Sequence, residues 1–247
     1  MKQGVITPVL GAMLFAAACG GGGESTAPEP GPVPGPVPVD PRPGVRFFNA
    51  VTAMPGPGGF TTNGQFVSGS AVGANQSTQT CVKLDAGSAS FGVGAANTGG
   101  TALSGGALAT LNNQSIAASG NYTVAAVGSG MHALLFLIDN SFSGSLGSNQ
   151  AAVRFVNLAP SANPHTVSSG TGSGSTTTVA SNLALGASST FTTVTSGSHA
   201  YTVVNGGNTV VSGSAGTLNL QAGTINTIAI VPGTAAGTFQ LINVPRC

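Results

Sequence analysis

The chain has 247 residues, of which 41% are hydrophobic and only 4% carry a charged side chain. Soluble domains usually carry about 25% charged residues, so Gly, Ser, Thr and Asn supply most of the polarity here. These residues favour turns and strands over helices, which indicates an all-β protein with enough apolar residues for a core. The net charge is +1 and no basic patch is expected, which excludes nucleic-acid binding because that needs several cations on one face.

Residues 1–18 have the pattern of an export signal: one lysine, a mostly apolar run over 5–15, and three alanines before Cys19. The apolar run is too short to span ~30 Å of hydrocarbon. A small-residue run that ends in Cys resembles the lipobox of bacterial lipoproteins. This resemblance implies cleavage before Cys19, acylation of Cys19, and membrane anchoring through the lipid. An ordinary signal peptide or a retained membrane anchor are the alternatives.

Residue 20 is Gly rather than Asp, which resembles the sorting pattern of lipoproteins destined for the outer membrane. Residues 19–44 then form a Gly- and Pro-rich linker. Alternating prolines disfavour helix and sheet and favour extended polyproline II at about 3.1 Å per residue. We therefore expect a disordered stalk that lifts the rest of the chain off a membrane surface. A proline-motif ligand for another protein is the competing interpretation.

The rest of the chain repeats itself in the same order and at a near-constant offset. Three pairs of segments match: 45–50 with 153–158, 81–93 with 191–203, and 120–127 with 223–231. The repeat predicts two domains, 45–148 and 149–247, each of a size that suits a small β-sandwich.

Strand patterns support this architecture. Apolar residues alternate at Tyr201 and Val203 and at Ile228 and Ile230, which predicts one buried and one solvated face for each strand. Asn63-Gly64 predicts a two-residue hairpin, because both residues tolerate positive φ. We therefore expect an all-β fold with two tandem immunoglobulin-like β-sandwich domains.

Three segments of the second repeat, at 153–160, 179–186 and 196–197, resemble the bacterial domain-of-unknown-function 4397 family. The first repeat resembles it at its opening strand, at Asn63-Gly64 and around Gly87. The resemblance implies an envelope or secreted β-sandwich, often in tandem, with no established activity. Thr166 stands where the family usually has Asp, and residues 51–59 depart from the pattern, so any role of that acidic position is absent here.

The usual catalytic and metal-binding patterns are missing. Beyond the linker the carboxylates are Asp85 and Asp139, which are far apart in sequence and are not expected to share a site. His132, His165 and His199 each stand alone in what reads as a loop or turn, so no metal site is predicted. No nucleophile elbow, phosphate loop or dinucleotide fingerprint occurs. The sequence therefore predicts neither enzymatic activity nor a cofactor.

Several other residues stand out. Arg46 and Arg154 recur at one repeat position and are expected to face outward with their stems on apolar surface, the alternative being anion contacts. Asn49 and Asn157 are predicted to bond local backbone at a strand end. Phe191 is either an exposed aromatic contact or packing between the two repeats.

The cysteines are Cys19, Cys81 and Cys247. With Cys19 acylated, one pair is left in a compartment where disulfides persist. We predict a Cys81–Cys247 disulfide that ties the end of the second repeat to the first. Two free thiols or a bridge between molecules are the alternatives.

These features favour a non-enzymatic lipoprotein of the cell envelope, most simply of the outer membrane, that acts as a displayed structural or binding module. Envelope polysaccharide or another surface protein are the expected classes of partner. The alternative is an accessory subunit or enzyme of an extracellular degradative system.

Overall fold

Strands account for nearly all regular structure in the computed structural model, which describes residues 40–171, 175–235 and 237–247. A short 3-10 helix at Gly213–Gly216 is the exception. The strands are β1 (Gly44–Thr52), β2 (Gly58–Thr62), β3 (Gln65–Phe66), β4 (Gln76–Ser77), β5 (Val82–Lys83), β6 (Gly87–Ala95), β7 (Ala109–Ile116), β8 (Asn121–Ser129), β9 (His132–Asp139), β10 (Gln150–Asn157), β11 (His165–Thr171), β12 (Ser175–Leu183), β13 (Thr192–Thr195), β14 (Gly197–Asn205), β15 (Asn208–Val211), β16 (Thr217–Leu220), β17 (Ile225–Pro232) and β18 (Phe239–Val244). Among these residues, no helix is long and apolar enough to cross a membrane.

The described strands form four sheets. Sheet 1 has the order β3-β2-β6-β7, and sheet 2 has the order β4-β1-β8-β9 with β5 also paired to β1. Sheet 3 has the order β13-β10-β17-β18, and sheet 4 has the order β12-β11-β14-β15 with β16 paired to β14. Sheets 2 and 3 each contain one parallel pair, β1 with β8 and β10 with β17, whereas the other pairs are antiparallel. A parallel pair needs a long crossover, which sheet 1 and sheet 4 provide.

Three apolar clusters connect the sheets in the order 1-2-3-4. Sheets 1 and 2 share a cluster that contains Phe60, Phe91 and Phe47. Sheets 3 and 4 share one that contains Phe155, Tyr201 and Ile228. A third cluster joins the opposite faces of sheets 2 and 3, and its members are Phe48, Ala50, Ala125, Val127, Ile138, Val156, Leu158, Ala229, Val231 and Val244. Residues 40–247 form one compact unit because of this third cluster.

Strands at the centre of the stack are buried on both faces. Residues 226–231 of β17 and 122–127 of β8 have no solvated face. The prediction of one wet face for the strand at Ile228 and Ile230 is therefore wrong. A strand that is covered on both faces has a continuous run of apolar residues instead of an alternating pattern. The strand at Ile228 and Ile230 is such a strand, because sheet 2 covers the face of sheet 3 that would otherwise meet water.

The predicted hairpin is present: β2 and β3 pair through Asn63 and Gly64, which have φ angles of 49° and 79°. The all-β architecture in packed sheets is confirmed, and the immunoglobulin-like character of each sandwich stays a prediction. Residues 140–149 connect β9 to β10 and contain the predicted boundary at 148/149. The predicted signal and most of the linker lie outside the described residues.

Candidate functional site

Arg46 and Arg154 are buried, with 9% and 8% of their surfaces exposed. Arg46 lies opposite Thr123 in the β1–β8 register, and Arg154 lies opposite Thr227 in the β10–β17 register. The prediction that both arginines face outward is wrong. They alternate with Phe47 and Phe155, which fill the outer cores, so their side chains point into the layer between sheets 2 and 3.

Arg46 joins the segment before β5 to the end of the chain. Its Nη1 donates to the carbonyls of Thr78 and Gln79, the latter at 3.2 Å. Its Nη2 donates to Cys81 Sγ at 3.3 Å and to the Arg246 carbonyl at 3.2 Å. Burial lowers the pKa of the Arg46 guanidinium, because the charged form loses hydration. Carbonyl oxygens replace part of that hydration.

Arg154 belongs to a buried polar network that Asn140 organises. Asn140 Oδ1 accepts from Arg154 Nη2 at 2.6 Å and from Thr227 Oγ1 at 2.9 Å, and Asn140 Nδ2 donates to Thr123 Oγ1 at 2.8 Å. Arg154 Nε also donates to Thr227 Oγ1 at 3.1 Å. Desolvation lowers the pKa of Arg154 to about 10, partly offset by the charge of Asp139. This network connects sheet 2 with sheet 3 and was missed by sequence reasoning.

Phe191 packs beneath Arg154. The guanidinium carbon of Arg154 lies 4.6 Å from the centre of the Phe191 ring, within the range of a cation–π contact. Phe142, in the connection between β9 and β10, meets Phe191 edge to face at 5.4 Å. Of the two alternatives for Phe191, packing is the one observed.

Asn49 and Asn157 make matching bonds, as predicted. Asn49 Oδ1 accepts from the Val51 amide at 3.0 Å, and Asn157 Oδ1 accepts from the Ala159 amide at 2.9 Å. Asn49 Nδ2 also donates to the Val72 carbonyl, and Asn157 Nδ2 donates to the Leu183 carbonyl. The predicted bonds to nearby backbone are therefore confirmed for both residues, whereas the predicted strand-end position is right for Asn157, the last residue of β10, and wrong for Asn49, which lies three residues before the end of β1.

The predicted disulfide is present: Cys81 and Cys247 are bonded, with their Cα atoms 5.7 Å apart. Val82 and Leu84 pack against the core while Lys83 is exposed, in the alternation predicted for this segment. The bond joins the segment that follows β18 to the segment that precedes β5. The described end of the chain is thereby held against sheet 2.

The charged side chains of the described residues gather at one end of the unit formed by residues 40–247, which we call the charged end. Arg42 pairs with Asp40 at 2.8 Å and lowers the pKa of Asp40 to about 2 through side-chain hydrogen bonds. Lys83 Nζ donates to the Arg42 carbonyl at 3.1 Å. The remaining charged side chains lie near these contacts or near Asn140. The full set is Asp40, Arg42, Arg46, Lys83, Asp85, Asp139, Arg154 and Arg246. No run of charges in the sequence indicated this gathering of five cations and three carboxylates.

The three histidines lie in strands, so the prediction of loop or turn contexts is wrong. His132 begins β9, His199 lies in β14, and His165 begins β11 with no exposed surface. Among residues 40–171, 175–235 and 237–247, no three His, Cys, Asp or Glu side chains are grouped as metal ligands.

His165 should make the protein less stable in mild acid. Burial lowers the pKa of His165, so the unfolded chain binds a proton more readily than the folded chain. Unfolding free energy should therefore fall as the pH drops from 7 to 5. Urea titrations of the wild type and His165→Gln would measure this, and the wild type should show the steeper loss. Parallel pH profiles for the two proteins would contradict this prediction.

Two concave surfaces stand out on the described residues. The first, the sheet 1 cleft, has a volume of about 470 Å³ and lies between the loop at 102–107 and the outer face of sheet 1. Its polar lining comes from Thr61, Ser90, Thr110 and Asn112, and Phe66 supplies an aromatic wall.

The second is the hairpin groove, which has a volume of about 550 Å³ beside the β8–β9 turn. Its lining includes Pro160 and Leu185 from the second half, together with Met131 and Leu134. These last two are the exposed large apolar side chains of the described residues, at 60% and 54%. Gly44 pairs with Asn121 at the start of β8, so this groove lies about 26 Å along β8 from the charged end.

Residues 43–167 match the family described as Domain of unknown function (DUF4397). The chain belongs to this family. The match covers all of the first half, β10 and the start of β11, whereas the resemblance at 179–203 lies beyond it. A search of curated proteins finds no match to the chain. The DUF4397 description assigns no activity.

Proposed function

We propose that this protein is a non-enzymatic, lipid-anchored module of the cell envelope, most simply of the outer membrane, that displays a binding surface. One observation carries the proposal: residues 40–44 lead into β1 at the charged end, while the hairpin groove lies beside the far end of β8. Asp40 and Arg42 begin the described chain beside Lys83, and the hairpin groove is at the opposite end of β8. A tether that joins the fold at residue 44 would therefore leave the hairpin groove at the far end of β1 and β8.

We also propose that the chain contains two copies of one domain, 45–148 and 149–247. Matching contacts support this. The Phe47 amide donates to Thr78 Oγ1 at 3.3 Å, and the Phe155 amide donates to Ser189 Oγ at 3.0 Å. Arg46 contacts Cys81 where Arg154 contacts Phe191, which are equivalent positions of the repeat.

The charge distribution supports a role in binding rather than catalysis. Asp85 and Asp139 lie at the charged end, and neither cleft is lined by a carboxylate. Polar groups of the sheet 1 cleft are hydroxyls and an amide, which bind ligands but do not supply acid–base chemistry near neutral pH. Panels of ester, glycoside and peptide substrates test this directly. Turnover that is lost in Asp85→Asn or Asp139→Asn would contradict it.

Anchoring is tested by Cys19→Ser. We expect this change to abolish labelling by a radioactive fatty acid and to move the protein from the membrane pellet to the soluble fraction. Stable attachment needs more than one buried acyl chain, at about 0.8 kcal/mol per CH₂, and Cys19 is the residue proposed to carry them. Ser25→Ala, in the same linker, is the matched control and should leave both readouts unchanged. Membrane retention of Cys19→Ser at the wild-type level would contradict the anchor.

A further inference from the structure

One row of residues crosses the outer face of sheet 1. Phe66 pairs with Thr61, Thr61 with Gly92, and Gly92 with Thr110, on four adjacent strands. Directly paired residues point to the same face, and their in-line neighbours Phe60 and Phe91 fill the core, so the row points away from the core. Three strand spacings make the row about 14 Å long.

Gly92 leaves a gap in the middle of this row. A Cβ at position 92 would overlap Thr61 Oγ1 and would lie 3.5 Å from Ala107 Cβ. Gly92 therefore leaves room for the Thr61 hydroxyl. Two residues further along β6, a Cβ on Gly94 would overlap the Gly106 carbonyl oxygen, so the absence of a side chain at Gly94 lets the loop at 102–107 approach the sheet and form one wall. Phe66 forms another wall, and the two hydroxyls of Thr61 and Thr110 flank the gap.

Backbone hydrogen bonds hold the cleft in shape. The Ser104 amide donates to the Ala95 carbonyl and the Leu108 amide donates to the Val93 carbonyl, both at 2.7 Å. Asn63 Oδ1 accepts from the Ser90 amide at 2.8 Å and fixes the β2–β3 turn against β6. A ligand would therefore meet a formed site, with little ordering cost on binding.

The polar groups of the cleft have unused hydrogen-bonding capacity. Within the described residues, the side chains of Thr61, Thr110 and Asn112 make no hydrogen bond in the protein, and Thr110 and Asn112 are exposed. No charged side chain lines the cleft. A charged ligand group would lose hydration here without an ionic partner, whereas the hydroxyls of a neutral ligand can bond to these groups.

We infer that the sheet 1 cleft binds a neutral saccharide chain, with C–H groups of a sugar ring against the face of Phe66 and sugar hydroxyls bonded to Thr61, Thr110 and Asn112. The negative face of an aromatic ring attracts such C–H groups. A row of about 14 Å suits several consecutive sugar units. This inference deepens the proposed function, on which it rests, by naming the class of ligand.

The second half of the chain, residues 149–247, lacks this combination of a glycine, an aromatic ring and flanking hydroxyls, although its strands pair in a similar order. The corresponding row in sheet 4 is Thr178, Ser168 and Thr202. Thr202 fills the position of Gly92, and no aromatic residue stands in the row. We therefore assign the site to the first half, and the second half supplies a matched control.

The inference is tested by calorimetric titration of the full-length chain, which is held in solution by a detergent that has no sugar head group. The probes are maltohexaose, cellohexaose and laminarihexaose, with hexagalacturonate as the charged probe of equal length. We expect at least one neutral hexaose to bind and hexagalacturonate to bind more weakly. Phe66→Leu, which keeps an apolar side chain but removes the aromatic face, and Thr110→Val should each weaken binding by roughly tenfold.

Thr178→Val removes an exposed hydroxyl from the equivalent row and should bind as the wild type does. Unfolding temperatures equal to that of the wild type show that the variants are folded. Thr110 is exposed, so we expect Thr110→Val to leave the unfolding temperature unchanged. The inference would be overturned if none of the neutral hexaoses binds, if hexagalacturonate binds more tightly than they do, or if Phe66→Leu and Thr110→Val bind as tightly as the wild type. Anchoring is measured separately through Cys19→Ser, so these results bear on the ligand and not on the anchor.

Discussion

Replacing Cys81 and Cys247 together with Ser should lower the unfolding free energy by several kcal/mol. The disulfide joins residues 166 positions apart. In the chain-entropy model, closing a loop of that length in the unfolded chain stabilises the fold by about 5 kcal/mol. Because folded chains of this size are marginally stable, the unfolding temperature should fall by roughly 10 °C or more.

The single variants Cys81→Ser and Cys247→Ser should each reproduce the double variant, because either one removes the bridge. Treating the wild type with a reductant should give the same unfolding temperature as the double variant. Non-reducing peptide mapping should recover the 81–247 peptide pair from the oxidised wild type. Equal unfolding temperatures for the wild type and all three variants would show that the bridge has no stabilising role.

Asn140→Ala should destabilise the protein by about 3 kcal/mol, through the loss of partners for a buried charge. Asn140 has no exposed surface, and its amide satisfies Arg154, Thr227 and Thr123 at once. Without it, the Arg154 guanidinium keeps only its bond to Thr227 and its contact with Phe191. Chemical denaturation measures the change. As a control, Asn219→Ala, at an exposed position of β16, should cost less than about 0.5 kcal/mol.

Two further variants separate the network from simple loss of volume. Asn140→Asp keeps an acceptor for Arg154 and should recover most of the stability that Asn140→Ala loses. In an Arg154→Met background no buried cation is left without a partner, so Asn140→Ala should cost clearly less there. Equal costs in the two backgrounds would contradict a coupled network.

The candidate cleft was only partly foreseeable. Asn63-Gly64 predicts the hairpin, and a hairpin with that turn places Thr61 opposite Phe66. Nothing local to the sequence brings Thr110 into line with them, because β7 joins the sheet through β6 from almost fifty residues away. The role of Gly94 likewise depends on the loop at 102–107, whose approach is decided by packing.

The burial of Arg46 and Arg154 also could not be predicted from the sequence alone. A strand with Arg46 among apolar residues reads as amphipathic, and an arginine normally finds water on the outer face. Here that face is covered by a second sheet, and carbonyls, hydroxyls and an amide replace the water. Only the docking of sheet 2 on sheet 3 creates these partners.

By itself, the sequence determined the β class, the Asn63-Gly64 hairpin, the bonds of Asn49 and Asn157 to nearby backbone, and the pairing of Cys81 with Cys247. Each of these depends on local conformational preference or, for the cysteines, on counting. Tertiary structure alone decided the burial of both faces of β8 and β17, the Asn140 network and the sheet 1 cleft. These depend on which faces meet across long sequence separations, and a period-two pattern does not distinguish a face that meets water from one that meets another sheet.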